Sequence, residues 1–321
     1  MAIAACGAIA LLALVSSCQS QASTTLQLPT ARYKVGLAAN RTDLPDSQIV
    51  YDAFVKSAQG LGMDVEVAGS INDPDEQVRQ IDRFVGNRVD AIVIDPAGDW
   101  DVPGEAVKRA AAAGIKIVGL DEFLDYEAMK VLAYDATAEE GRQSADFIGK
   151  QLGGHGTVLL AGTVQTRSNE LRFAAATSWL ATKYPGITVA ERRNVNHGNI
   201  LQSDAQGGRT LALQLLSDHP DADAIWCVND AVAAGVGAGV LETGKHVLVT
   251  GIGGTDEGME YLRAGEISAI WDARPRTLAA AAARATRDLL DGNIPEWQLP
   301  KRVMVEPGQY TRSDAGQWAP D

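Results

Sequence analysis

Cysteine, aromatic side chains and positive charge are all scarce in this chain of 321 residues, and each shortage removes a class of protein. The three cysteines stand at positions 6, 18 and 227; the first falls in an N-terminal leader and the second at its end, so the body holds one thiol and no disulfide framework. Cys227 lies in the apolar run Ala224-Ile225-Trp226-Cys227-Val228, which predicts a buried, inert strand thiol. Lys and Arg number 28 against 41 Asp and Glu, a formal net charge of −13, so a nucleic-acid partner has no basic footprint to bind. His155, His197, His219 and His246 lie scattered without metal-ligand spacing, and no metal or other cofactor is expected. The chain also lacks a Gly-x-Ser-x-Gly elbow, a P-loop, a Rossmann glycine fingerprint at a first strand and a helix-turn-helix, which argues against an enzyme and against a repressor.

What is present begins with an apolar run from Ala2 to Val15, too short to span a bilayer, that ends in Val15-Ser16-Ser17-Cys18. This resembles a bacterial lipobox, which would make Cys18 the first mature residue and the site of lipidation, holding the protein at the periplasmic or extracytoplasmic face of a membrane. A plain secretory signal cut between Ser16 and Ala22 is the alternative, and the absence of Lys or Arg before the run suits a start a few residues upstream. Residues 1–17 thus read as leader and 18–31, rich in Gln, Ser, Thr and Ala, as a flexible tether.

From Tyr33 onward, short apolar runs alternate with helical patterns, and the series restarts after Tyr134. The remaining length exceeds what one core usually organises, and the 46% apolar content with 32 glycines suits an α/β protein rich in tight turns. The pattern predicts two doubly wound parallel-sheet lobes: residues 32–135 with 274–299, and residues 136–273 with 300–321. No Gly- or Pro-rich linker divides them, so the hinge is expected at three ordered crossings, Tyr134–Thr137, Ala273–Pro275 and Trp297–Pro300. Open α/β sheets bind ligands beyond the carboxyl ends of their strands, which directs attention to Asn40, Asp43, Asp46, Asp121-Glu122, Arg172, Asn229-Asp230, Asp256 and Trp271. For Asp230 and Asp256, ahead of helical patterns, helix capping is the competing reading.

The order of elements resembles the ribose- and galactose-type periplasmic sugar-binding proteins, the solute receptors of ABC transporters with the type I periplasmic-binding-protein fold. The specific pieces are Ile117-Val118-Gly119-Leu120-Asp121, Arg172 within Glu170-Leu171-Arg172-Phe173-Ala174-Ala175, His219-Pro220-Asp221-Ala222-Asp223-Ala224 leading into Asn229-Asp230, and Val249-Thr250-Gly251-Ile252-Gly253-Gly254-Thr255. The resemblance implies that Asp121 accepts hydrogen bonds from sugar hydroxyls, Arg172 donates a planar fork and Asn229 does both. It also has departures: Glu122 stands where the family usually has Arg, Gly253 where it has Asp, Asp46-Ser47 where an aromatic pair often stacks, and Ala273 where it tends to have a polar contact. Stacking would then fall to Trp271 or Trp100, with Trp179 and Trp226 assigned to the core. The expected function is capture of a small polyhydroxylated ligand, a sugar or polyol, by a lipid-anchored monomer that delivers it to an ABC permease; a chemoreceptor or sensor kinase is the alternative partner.

Overall fold

The computed structural model describes residues 33–98, 101–121, 128–162, 167–195, 205–293 and 295–320. Glu122, Trp100 and Cys18 lie outside the described residues. No described helix is long and apolar enough to cross a membrane.

The first lobe alternates β1 (Tyr33–Ala39), α1 (Pro45–Gly60), β2 (Met63–Gly69), α2 (Pro74–Gly86), β3 (Ala91–Ile94), α3 (Asp101–Ala112) and β4 (Lys116–Asp121), then adds β5 (Met129–Asp135). The second runs α4 (Thr137–Gln151), β6 (His155–Gly162), α5 (Arg167–Lys183), β7 (Gly186–Asn194), α6 (Ala205–Asp218), β8 (Ala224–Cys227), α7 (Asp230–Thr243), β9 (Leu248–Gly253), α8 (Asp256–Ala264) and β10 (Ala269–Asp272). The chain then returns to the first lobe through α9 (Pro275–Asp291) and β11 (Arg302–Val305), and ends on the second sheet with β12 (Gly308–Thr311). The sheets read β2-β1-β3-β4-β5-β11 and β7-β6-β8-β9-β10-β12, parallel except for β12, which pairs antiparallel with β10. Both orders are the doubly wound arrangement, with the order of strand addition, not the strand direction, reversing between β1 and β3 and between β6 and β8.

Local chemistry explains the elements. Helices cover both faces of a parallel sheet, so its inner strands read as unbroken apolar runs, and Ala91-Ile92-Val93-Ile94, Ala224-Ile225-Trp226-Cys227 and Ala269-Ile270-Trp271-Asp272 are buried throughout. Cys227 is fully buried and its thiol is pushed far up by loss of solvent, as expected of an inert strand residue. In α2, Asp73 caps the helix by accepting from Glu76 N at 3.0 Å, Pro74 starts it, and Asp75 and Glu76 face the positive end of its dipole. The second lobe packs α6 against α7 at backbone distance: a Cβ on Gly235 would lie 1.8 Å from the Ala205 carbonyl oxygen, and one on Gly208 would lie 2.4 Å from that of Val232. Sequence alone marks α7 only as apolar on every side, and the close approach of α6 is the reason its glycines are there.

The hinge differs from expectation at one of its three crossings. Tyr134–Thr137 and Ala273–Pro275 do carry the chain between lobes, but Arg302–Val305 pairs with Leu132–Asp135 in the first sheet. Residues 300–305 therefore belong to the first lobe, and the third crossing is Glu306-Pro307, not Trp297–Pro300. Two crossings are tied directly, Ala136 N donating to the Val305 carbonyl at 3.1 Å. The other is built on Arg274, whose φ of 52° is left-handed ahead of Pro275. Arg274 N donates to Asp272 Oδ1 at 2.8 Å, and Trp318 Nε1 of the C-terminal tail donates to Asp272 Oδ2 at 3.0 Å.

Gly235→Ala is expected to cost about 2–3 kcal/mol, since the added methyl forces α6 from α7. Gly86→Ala, at a helical position with nothing within 4 Å of the new atom, should instead be neutral or stabilise by about 0.5 kcal/mol. Urea denaturation of the two variants beside wild type checks both signs.

Candidate functional site

Both sheets present their carboxyl edges to one cleft, and a cavity of about 140 Å³ lies there. Around it, α1, α5, α7, α8 and α9 all begin, so the partial positive charge of several helix N-termini faces the space. The first lobe contributes Leu44, Ser47, Val50, Asp121, Pro275 and Leu278; the second contributes Ser168, Asn169, Arg172, Asn229, Gly253 and Thr255.

Asp121 closes β4 with a φ of 71°, a left-handed conformation uncommon outside glycine but tolerated best by Asp and Asn. Such strain costs on the order of 1–3 kcal/mol and marks a residue held for its side chain. On α5, Ser168 and Arg172 are four residues apart and share a face, which places the guanidinium and the hydroxyl on the same wall. Arg172 Nε donates to Glu140 Oε2 at 2.8 Å; the Glu140 carboxylate is wholly buried and the Arg172 side chain only 12% exposed. The contact is possible because Gly141, next to Glu140 on α4, has no side chain: a Cβ there would lie 2.4 Å from the Arg172 carbonyl oxygen. Asn229 caps α7 by accepting from Val232 N at 2.9 Å while also lining the cavity, so capping and cavity roles coexist in one residue.

Asp121, Arg172 and Asn229 are thus brought together, and other strand-end candidates are not. Asn40 is 4% exposed and engaged within the loops: Oδ1 accepts from Arg41 N at 2.8 Å and Asn72 N at 2.9 Å, and Nδ2 donates to the Pro96 carbonyl at 3.0 Å. The Tyr51 hydroxyl shares its proton between the Asn40 carbonyl and Asp95, and burial first, then the Asp95 charge, hold that phenol well above its ordinary pKa. Asp43 takes a two-point ion pair from Arg41 at 3.0 Å, both side chains 4% exposed. Trp271 cannot stack on a ligand: it is fully buried, edge-on to Phe147 at 5.7 Å, with Nε1 donating to Gln143. Trp226 is a core residue as expected, whereas Trp179 is only partly buried, its Nε1 donating to Asp146 at 2.8 Å. Asp256 is exposed in the first turn of α8, whose cap is Thr255, and it does not line the cavity. Ser47, in the first turn of α1, does line it; the side chain of its neighbour Asp46 lies outside what the structure describes.

Asp230 does neither of the two things expected of it. Its Oδ2 accepts from Gly254 N at 2.7 Å, Thr255 N at 2.9 Å and Thr255 Oγ1 at 3.2 Å, bracing the turn after β9. A Cβ on Gly253 would lie 2.9 Å from that oxygen, so the carboxylate of Asp230 accounts for glycine at 253. Sequence reading also missed Glu140 and the aliphatic residues of the lining, whereas Ser168 and Asn169 fall in the strand-end stretch Thr166–Arg172 that the sequence marks. The buried partner of Arg172 had a faint signal, an acid in the first turn of a helix, but nothing local distinguishes it from the neighbouring Glu139.

Two doubly wound parallel sheets, joined by three short crossings and meeting carboxyl edge to carboxyl edge over one cavity, make up the type I periplasmic-binding-protein fold. Residues 36–294 match the family described as "Periplasmic binding protein domain". The chain belongs to that family. It is 25% identical over 260 residues to the ribose import binding protein of Bacillus subtilis, spanning 81% of this chain and 82% of that protein. It is 27% identical over 268 residues to the D-allose-binding periplasmic protein of Escherichia coli, spanning 77% and 84%. In fold it is similar to an ABC transporter solute-binding protein from Bacillus halodurans solved with myo-inositol, with a TM-score of 0.79 at 18% identity over 90% of this chain and 97% of that one.

Arg172→Ala should cost about 3–5 kcal/mol of stability, because it strands Glu140 as a buried charge. The double variant Glu140→Leu/Arg172→Met should recover most of that loss, since apolar replacement of a buried pair is often neutral. Chemical denaturation of the single and double variants reads the difference, and equal loss in both would mean that the pair's charge is not what the packing depends on.

Proposed function

We propose that this protein captures a small polyhydroxylated ligand, a sugar or polyol, between its lobes outside the cytoplasm and delivers it to an ABC permease, with no chemical conversion of the ligand. The observation that carries the reading is the convergence of Asp121 from the first lobe with Arg172 and Asn229 from the second on one cavity. A hydroxyl group both donates and accepts, and a carboxylate, a guanidinium and an amide together satisfy both roles. Ser47, Ser168, Asn169 and Thr255 add donors and acceptors around them. The relatives named above for ribose and D-allose, and the fold neighbour solved with myo-inositol, support a ring polyol as ligand. In the same reading the mature protein begins at a lipidated Cys18 and works as a tethered monomer near its permease.

A thermal-shift screen of aldoses, polyols and inositols tests the capture. A true ligand at a hundredfold excess over its Kd should raise the Tm by roughly 5 °C. Asp121→Gly relieves the left-handed backbone and should leave the fold at least as stable, while lowering affinity about tenfold or more through loss of charged hydrogen bonds. No response across the whole panel would overturn the reading. The anchor is tested separately: mass spectrometry of the mature N-terminus should find a diacylated or triacylated Cys18, and an unmodified N-terminus elsewhere would refute it.

A further inference from the structure

The cavity is two-sided in a way that a fully hydroxylated ring does not require. Asp121, Ser168, Asn169, Arg172, Asn229 and Thr255 form its polar part. The hinge-side wall is aliphatic apart from the Ser47 hydroxyl: Leu44 and Val50 flank Ser47 at the start of α1, Pro275 and Leu278 stand at the start of α9, and Ala273 at the crossing that leads into α9. Val50 and Leu278 belong to the same packed core as the strands of the first sheet, so this wall is that core reaching the ligand space. Three of its backbone N–H groups are already committed. Ala273 N already donates to the Gly253 carbonyl at 3.1 Å, Leu278 N to that of Arg274 at 3.0 Å and Leu44 N to that of Arg41 at 2.9 Å. The neighbouring Asp272 is 3% exposed, with its carboxylate accepting from Arg274 N and from Trp318 Nε1. No aromatic ring is present among the described residues lining the cavity, and the two large indoles nearest in sequence to its lining, Trp226 and Trp271, are fully buried in the second lobe.

We propose that the ligand is a terminally deoxygenated sugar or polyol, seated with its hydroxyls toward Asp121, Arg172 and Asn229 and its methyl end against Ala273, Pro275 and Leu278. The proposal rests on the capture reading above and narrows it. A hydroxyl pressed on the aliphatic wall surrenders its hydrogen bonds to water and gains none, whereas a methyl buries apolar surface there. One such exchange in a hydrophobic pocket discriminates by about tenfold to a hundredfold.

Calorimetry on matched pairs differing by one terminal oxygen tests it: D-fucose with D-galactose, L-rhamnose with L-mannose, and 5-deoxy-D-ribose with D-ribose. In the pairs that bind, the deoxy member should bind at least tenfold tighter. Ala273→Ser, which places a hydroxyl on the wall at a half-buried crossing, should shrink that ratio by about threefold or more, without an equal loss of affinity for the deoxy member. A hydroxylated member that binds as tightly as its deoxy partner overturns the proposal and leaves sugar capture standing. An unchanged ratio in Ala273→Ser overturns the placement of the methyl end. Absence of binding by every pair, together with silence of the wider polyol panel, overturns both this proposal and the capture reading.

Discussion

Because a parallel strand can follow its neighbour only after a crossover, the chain leaves the parallel strands of each sheet at one edge, and everything that the cleft can use collects at those edges. The two lobes repeat this geometry with the same strand order, and their carboxyl edges meet over one cavity. Asp121 ends β4, Asn229 follows β8, Thr255 follows β9, and Arg172 stands one turn into the helix after β6. The helix starts at those edges supply a second consequence. Several N-termini make the cleft receptive to oxygen lone pairs even though the chain as a whole carries a net charge of −13.

Within that frame the costly element is the ion pair between Arg172 and Glu140. Removing a carboxylate from water is repaid only by close, well-directed partners, and here the approach of α4 to α5 at Gly141 brings the two charges together. Glu140 sits one turn after the first crossing, its amide donating to the Ala136 carbonyl at 2.9 Å. The guanidinium that faces the cavity is therefore held from the hinge side of its own lobe. A preset guanidinium loses less rotamer freedom when a ligand arrives, which is the advantage a buried pair can confer on a binding site despite its doubtful value for stability.

The parts of this arrangement that depend on local pattern could be read from sequence, and those that depend on a distant partner could not. The alternation of apolar runs and helical spacing foretold both sheets, and a polar residue after an apolar strand foretold Asp121 and Asn229. Asn40 and Asp43 satisfy the same local rule, yet Arg41 at a φ of 48° turns back to pair with Asp43, and Asn40 is drawn into bonds with Asn72 and Pro96. Trp271 was misjudged for a topological reason. Gly308–Thr311 has no apolar alternation to announce a strand, and without β12 the strand carrying Trp271 appears to lie at an edge instead of inside the sheet. Thr255 displaces Asp256 as cap by one position, a distinction that residue preference does not make.

The hinge also governs what the cavity can hold. Its crossings are only a few residues long, and one pair is joined by a hydrogen bond, a geometry that suits hinge rotation better than sliding. The end of the cavity nearest the crossings is the end least free to change shape. There the chain has placed Ala273, Pro275 and Leu278, and has committed the carboxylate of Asp272 to Arg274 and Trp318. The charged and hydrogen-bonding side chains instead lie on strand and helix ends that rotation of the lobes would bring together. On the proposed reading, a ligand that enters with its apolar end toward the hinge would meet a surface that is already formed, and its hydroxyls would then meet the groups that closure brings. That division of labour, fixed apolar contact near the axis and converging polar contact away from it, makes one orientation of the ligand favourable before the lobes close.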